Sequence, residues 1–301
     1  MFYSRKVRVE YRLEPCKSAL TAVRGMPFRW SLNPYMGCAH RCTFCYVRHF
    51  ELRADRPSDD AYGRSIRIKT NVAEVLRREL ARSSWKREEV SLGSATDPYQ
   101  PAEGRFQLTR ACIRELAAAW TPFSIITRGP LVIRDIDVLQ HAAARSGVSV
   151  YLSIPTLEDR VWRTTEPGTA PPRSRLAAVG RLAEAGIDVG VGIAPILPGL
   201  SDRPDQLEEV VWEARAAGAV HIWASVLHLR PGVREHFLET LGRDWPEEVG
   251  RYEALFASRA YLPASTTTSM VEPVRRAAAS TASRRRVLPP RHEPSQLALA
   301  I

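Results

Sequence analysis

The sequence contains no apolar run approaching the ~20 residues that a membrane-spanning helix requires. Its opening residues, Met1-Phe2-Tyr3-Ser4-Arg5-Lys6, carry charge with no apolar stretch behind them, so no signal peptide is read and a cytoplasmic protein is predicted. Short-period repeats are missing, and the glutamates and histidines offer no acid–base pair that can be placed. Cysteine is scarce: Cys16, Cys38, Cys42, Cys45 and Cys112 are the five in 301 residues. The odd count and the crowding of three between positions 38 and 45 exclude a disulfide framework and suit a metal site with reduced thiols. Acidic charge is in deficit, 33 Asp and Glu against 43 Lys and Arg, for a net charge of +10. A basic excess favours polyanionic partners such as nucleic acid or nucleotides. Arg275, Arg276, Arg284, Arg285, Arg286 and Arg291 supply part of it from the last stretch of chain, and an Arg- and Ala-rich composition accounts for it equally well.

What is present, from residue 88 onward, is alternation. Apolar runs at 89–94, 123–127, 148–154, 188–194 and 221–227 predict strands, and the stretches 107–120, 133–145, 173–185 and 206–217 between them have a helical period. A further strand is read at 28–33 and a helix at 71–83, started by Asn71. Near-continuous apolar runs such as 190–194 and 220–227 mark buried parallel strands joined by right-handed crossovers. About six strand–helix repeats fall short of a complete eight-fold barrel, which leaves a partial barrel or a doubly wound sheet. Either architecture gathers ligand groups at the C-terminal strand ends. The predicted organisation is an N-terminal lead-in over 1–27, an α/β body over 28–262 ending in C-terminal helices, and a largely disordered basic tail over 263–301.

One loop carries the chemistry. Asn33-Pro34-Tyr35-Met36-Gly37-Cys38-Ala39-His40-Arg41-Cys42-Thr43-Phe44-Cys45-Tyr46 follows the first strand of the repeat. Cys38-x3-Cys42-x2-Cys45 places three soft thiolates in one short segment, a donor set for iron–sulfur ligation. Three cysteines on a four-iron cubane leave one iron open to an exogenous ligand. A Cys3His zinc site completed by His49 or His40 uses the same cysteines and would make the chain a zinc-stabilised nucleic-acid-binding module.

The spacing, with Phe44 just before the third cysteine, resembles the signature of the radical S-adenosylmethionine superfamily. The likeness runs from about Lys17 to Leu229 and is closest to the spore photoproduct lyase-like branch. It is carried also by Ser94-Ala95-Thr96-Asp97-Pro98-Tyr99-Gln100-Pro101-Ala102-Glu103, Glu166-Pro167-Gly168-Thr169 and Ala194-Pro195-Ile196-Leu197-Pro198-Gly199. With it the reading becomes a partial (β/α)6 TIM-type barrel that holds a [4Fe–4S] cluster and S-adenosylmethionine. The resemblance implies reductive cleavage of the cofactor to a 5′-deoxyadenosyl radical that abstracts hydrogen from a substrate. An electron donor such as flavodoxin or ferredoxin is implied, with DNA or a nucleotide as one substrate class and a small biosynthetic molecule as another.

By the same resemblance, Cys38, Cys42 and Cys45 hold the cluster, and Phe44 and Tyr46 lie beside the adenosyl group. Ser94, Thr96 and Asp97 offer oxygens to the methionine amino group. Arg128 stands where the branch carries a lysine for the cofactor carboxylate, and Ser153 meets the ribose or carboxylate. Loop packing, a turn at Asp97-Pro98 and a solvated arginine are the structural alternatives for these residues. Genuine spore photoproduct lyases carry a cysteine where this chain has Ser94, so the hydrogen donor of that reaction has no counterpart here. Cys112 lies beside Ile113 and Leu116 and reads as a core residue, while Cys16 has no assignable role. The terminal Gln296-Leu297-Ala298-Leu299-Ala300-Ile301 resembles the peptide by which repair proteins dock on the replication sliding clamp, without its aromatic.

Protein purified without oxygen is expected to contain about four iron and four sulfide per chain. Alanine at Cys38, Cys42 or Cys45 should abolish this content, whereas Cys112→Ala should leave it intact. Stoichiometric zinc without sulfide would overturn the assignment.

Overall fold

The computed structural model describes residues 8–281. In chain order the N-terminal part forms β1 (Glu10–Glu14), β2 (Leu20–Ala22), β3 (Trp30–Leu32), β4 (Tyr35–Met36), α1 (Val47–Arg53), β5 (Ser65–Lys69) and α2 (Val72–Leu80). The alternating body follows as β6 (Val90–Leu92), α3 (Pro101–Phe106), α4 (Leu108–Ala118), β7 (Phe123–Thr127), α5 (Ile136–Ala143), β8 (Val148–Ser153), α6 (Asp159–Thr165), α7 (Pro172–Glu184), β9 (Asp188–Ile196), α8 (Pro204–Ala216) and β10 (His221–Val226). Three helices end the described chain: α9 (Val233–Asp244), α10 (Val249–Leu255) and α11 (Ala264–Ser280).

Seven strands form one sheet in the order β10-β9-β8-β7-β6-β3-β2. From β3 to β10 every neighbour is parallel, and only β2 runs antiparallel, capping the β3 edge. This is the partial six-fold barrel of the mixed α/β class. The strands pair because β-branched residues with no exposed face fill them: Val90 lies beside Phe123, Phe123 beside Val148, and Val150 beside Val189. Leu32, Leu92, Ile125, Val150, Leu152, Val191 and Ile193 are fully buried. Helices α2, α4, α5, α7 and α8 bury one stripe each against the sheet; Leu76, Ile113, Leu139, Val179 and Leu207 have no exposed surface. A second, three-stranded sheet in the order β1-β5-β4 lies beside the first residues of the cysteine loop. Among the described residues no helix is long and apolar enough to cross a membrane.

Two sequence expectations need correction. The predicted lead-in is not a separate piece, since β1 pairs with β5 and β2 with β3. Nor is the stretch from 263 onward disordered as far as it is described, because 264–280 is a helix. Its Val271, Val274 and Ala277 recur at intervals of three, and this stripe packs on α8 and β10. The Ser-, Thr-, Ala- and Arg-rich composition concealed a stripe only three residues long. The sliding-clamp-like hexapeptide 296–301 lies outside the described residues.

Val274 is 1% exposed. Val274→Ala is therefore expected to lower stability by about 2 kcal/mol, the loss of two buried methyl groups plus the cavity they leave. Denaturant unfolding reads this directly, and an undocked tail would show no change.

Candidate active site

The cysteine loop lies over the C-terminal ends of the parallel strands, and its shape is imposed from outside. β4 starts it, with Tyr35 opposite Ile68 on β5. Gly37 then turns at φ +85°, where a side chain would also press on the Ser65 carbonyl. Two clamps hold the backbone that follows. On one side Gln100, fully buried, accepts from the Ala39 N–H at 3.0 Å and donates to the Gly37 carbonyl at 3.1 Å. The Thr96 hydroxyl donates to that same carbonyl at 2.7 Å. On the other side Arg48, 1% exposed, donates to the carbonyls of Cys42 and Arg41 at 3.2 Å and of Ser58 and Asp59 at 2.7 Å. Gly168 closes the frame: its N–H bonds the His40 carbonyl, and a Cβ there would run into the Ala39 carbonyl.

Asp97 ties this loop to the next strands. Its carboxylate accepts from the Thr127 hydroxyl and the Arg128 N–H at 2.6 Å and from the Tyr99 N–H at 2.8 Å, and it lies 3.2 Å from His40 Nδ1. Burial alone would raise its pKa, but His40, Thr127 and the Arg128 N–H outweigh burial and hold it at about 2. Both oxygens are thus committed to the protein. Thr96 and Asp97, expected to meet the cofactor amino group, have their side-chain polar atoms engaged by the loop and by the end of β7 in this structure, which gives both a bracing role.

Arg128, at the end of β7, is likewise engaged. It donates to Glu166 at 2.6 Å and to the Ala194 carbonyl at 2.9 Å, with its guanidinium 5.4 Å from the Phe44 ring. Arg175 donates to both Glu166 oxygens, at 3.1 Å to the one Arg128 binds and at 3.2 Å to the other, and reaches the Ser153 carbonyl at 2.9 Å. Burial pushes the Glu166 carboxyl up, yet the two flanking guanidiniums keep it below its ordinary value, so it remains an anion. The resulting Arg128–Glu166–Arg175 triad joins β7, β8, β9 and α7. Sequence reasoning missed Arg48, Gln100, Glu166 and Arg175. Gln100 and Glu166 lay within quoted family-like stretches, but the two arginines had no signal in a chain so rich in arginine.

The remaining expected residues are placed as follows. Phe44 is buried against Val161 and the α9–α10 cluster. Tyr46 is 41% exposed, donates to the Ser94 carbonyl and stands 6.1 Å from Phe50 and 6.3 Å from His228. The Ser94 hydroxyl bonds that of Ser31, which accepts from Asn33 at 2.7 Å. Ser153 ends β8 buried, and its hydroxyl has no protein partner among the described residues.

All five cysteines are free. Cys38 and Cys42 are buried and Cys45 half-buried. Burial, then the nearby Asp97 charge, raises the Cys38 thiol, and burial pushes Cys42 up to about 12. Such thiols stay protonated until a metal cation supplies the charge that favours thiolate, so cluster binding and proton release go together. The three soft donors, on one externally braced loop, fit a cubane cluster. No three His, Cys, Asp or Glu side chains among the described residues are disposed around a single ion. The histidines that a zinc site would need point elsewhere, His40 to Asp97 and His49 to the Pro231 carbonyl at 3.0 Å. Cys112 is fully buried in the main core and Cys16 sits against Asn71, both away from the loop.

The family model of the radical SAM superfamily matches residues 32–211. The chain belongs to that superfamily. It is an enzyme, and the superfamily's cofactors are a [4Fe–4S] cluster and S-adenosylmethionine. An uncharacterized protein of Mycobacterium tuberculosis, Rv2578c, is 42% identical over 253 residues, covering 83% of this chain and 74% of the relative. An uncharacterized protein of Acidianus two-tailed virus, ORF301, is 30% identical over 241 residues, covering 74% and 77%. Among solved structures, spore photoproduct lyase complexed with dinucleoside spore photoproduct superposes with a TM-score of 0.67 at 14% identity, over 90% of this chain and 79% of that one. A variant of the same lyase reaches 0.68 at 13%. At such identity the likeness concerns the fold of this radical SAM enzyme.

Glu166→Gln leaves two buried guanidiniums facing a neutral amide, with a cost of about 3 kcal/mol expected. A melting temperature within error of wild type would show that the triad does not brace the strand ends.

Proposed function

We propose that Cys38, Cys42 and Cys45 hold a [4Fe–4S] cluster at which S-adenosylmethionine is cleaved, and that the reaction abstracts hydrogen from a nucleic-acid substrate. The observation that carries this reading is the braced three-cysteine loop, seated over the strand ends of a fold superposable on spore photoproduct lyase over 90% of the chain. The net charge of +10 supports a polyanionic substrate. When bound, a reduced cluster would supply one electron to the sulfonium of S-adenosylmethionine, whose C5′–S bond would break to give methionine and a 5′-deoxyadenosyl radical.

The chain's own residues then act around that chemistry. Thr96, Gln100, Arg48 and Asp97 keep the loop backbone in one shape, so loading the cluster asks for thiol deprotonation and side-chain adjustment on a fixed backbone. Arg128, held by Glu166, presents its remaining N–H groups beside Phe44 and Cys42 for the cofactor carboxylate. Ser153 offers an unpaired hydroxyl, and Tyr46, fixed to the Ser94 carbonyl, offers its ring to the adenosyl group. An external reductant, a flavodoxin or ferredoxin, delivers the electron.

Hydrogen return sets this enzyme apart from its structural neighbour. An S–H bond is weak enough to give a hydrogen atom to a carbon radical, whereas the O–H bond of Ser94 is not. Ser94 is moreover tied to Ser31, and neither Cys16 nor Cys112 reaches the loop. Reduced enzyme is therefore expected to move deuterium from a labelled oligonucleotide into 5′-deoxyadenosine, yet not to repair a dinucleotide carrying spore photoproduct in multiple turnovers. Ser94→Cys should raise repair in part. Rapid repair by the wild type would refute the donor argument, and label transfer from free nucleosides but never from nucleic acid would refute the substrate class.

A further inference from the structure

A cavity of about 310 Å³ lies between the cysteine loop, α6 and α9, and none of Ser94, Arg128 or Ser153 lines it. It is therefore a space apart from the cofactor groups at the strand ends. Its walls are polar and unbalanced in charge. Four guanidiniums, from Arg41, Arg48, Arg163 and Arg243, face two carboxylates, Asp60 and Asp244. Asp60 lies 3.8 Å from Arg41 and Asp244 lies 2.7 Å from Arg243, so each acid answers one arginine. Among the described residues Arg163 meets one carboxylate, Asp159, outside the cavity through one nitrogen at 3.2 Å, and its guanidinium lies 5.2 Å from the Trp162 ring. Arg48 is buried with no carboxylate within 4.0 Å among the described residues, its N–H groups taken by backbone carbonyls. Cys45, Tyr62 and Cys42 answer its charge from the loop side, so what an anion in the cavity would offset is the excess of four guanidiniums over two carboxylates in the wall.

Two further side chains in the wall lack partners. Thr43 and His236 are each 4% exposed, and neither Thr43 Oγ1 nor His236 Nδ1 finds a hydrogen-bond partner among the described residues. Buried polar groups are normally satisfied, so the partner is to be sought in the cavity itself. Burial, and then the Arg48 charge, keeps the His236 pKa at about 4, leaving a neutral ring able to donate from one nitrogen. The hydroxyl, the imidazole and guanidiniums from three chain segments together suit a multi-oxygen anion better than a cation or an apolar group.

We propose that this cavity binds a phosphate group, belonging either to a free nucleotide or to a nucleic-acid strand, between the cysteine loop and α9. The site goes beyond the substrate reading above and does not depend on it, because inorganic phosphate alone tests it.

The experiment is calorimetric titration of the anaerobic holoenzyme with inorganic phosphate at low ionic strength, followed by a nucleoside 5′-monophosphate and a short single-stranded oligonucleotide. The exposed pair is removed in Arg163→Ala/Arg243→Ala, and a charge-matched control removes Arg77 and Arg78 from the outer face of α2. Saturable phosphate binding, weakened at least tenfold in the first variant and unchanged in the control, is the expected result, with iron content and melting temperature as wild type. His236→Leu should weaken it as well. If phosphate displaces the oligonucleotide, the strand is the source; if only the mononucleotide competes, the free nucleotide is. Absence of saturable binding, or equal weakening in both double variants, overturns the proposal and leaves water as the occupant. Deuterium transfer from the oligonucleotide would be unaffected by that failure, so the two readings fall separately.

Discussion

The shape of the three-cysteine loop is held by hydrogen bonds from neighbouring elements to its backbone. In this chain that constraint governs the arrangement around the strand ends. Gln100 and Thr96 take the first half of the loop, Arg48 takes the second, and Gly168 allows another segment to approach it closely. The polar groups involved are buried, where unmade bonds are expensive, so the loop has one low-energy geometry rather than several.

The same demand explains why so many charged residues near the thiols are unavailable for chemistry. Asp97 is surrounded by donors, and Glu166 is pinched between two guanidiniums. Their anionic state follows from these contacts, which overcome the burial that would neutralise them. What remains free beside the loop is modest: the Ser153 hydroxyl, part of the Arg128 fork and the Tyr46 ring. A site so poor in titratable groups suits radical chemistry, in which the cofactor does the bond breaking and the protein orients and excludes.

Much of the architecture was legible in the chain. Strands β7, β8 and β9 announced themselves as apolar runs between helical periods, as strands buried on both faces do, whereas β10, read as a buried strand from its apolar run, is the edge strand of the sheet and has no buried residue. The cysteine loop was legible for another reason: its ligands are close in sequence, and soft donors at that spacing serve few purposes. The helix at 264–280 was not legible, because its apolar stripe is too sparse to rise above its composition and acquires meaning only against α8 and β10.

The sequence by itself therefore determined the alternation of elements, the position of the thiol-bearing loop within it and the spacing of its three cysteines, all matters of local pattern. Tertiary structure decided which polar residues serve the loop and which face the opening. Thr96 and Asp97 became braces, Arg128 a partner of Glu166, and Arg48 a buried clamp, through contacts between residues as far apart as Arg128 and Ala194, 66 positions along the chain. Hydrogen bonds of that kind leave no periodicity to read, because they depend on where two separate strand ends and a loop meet in space.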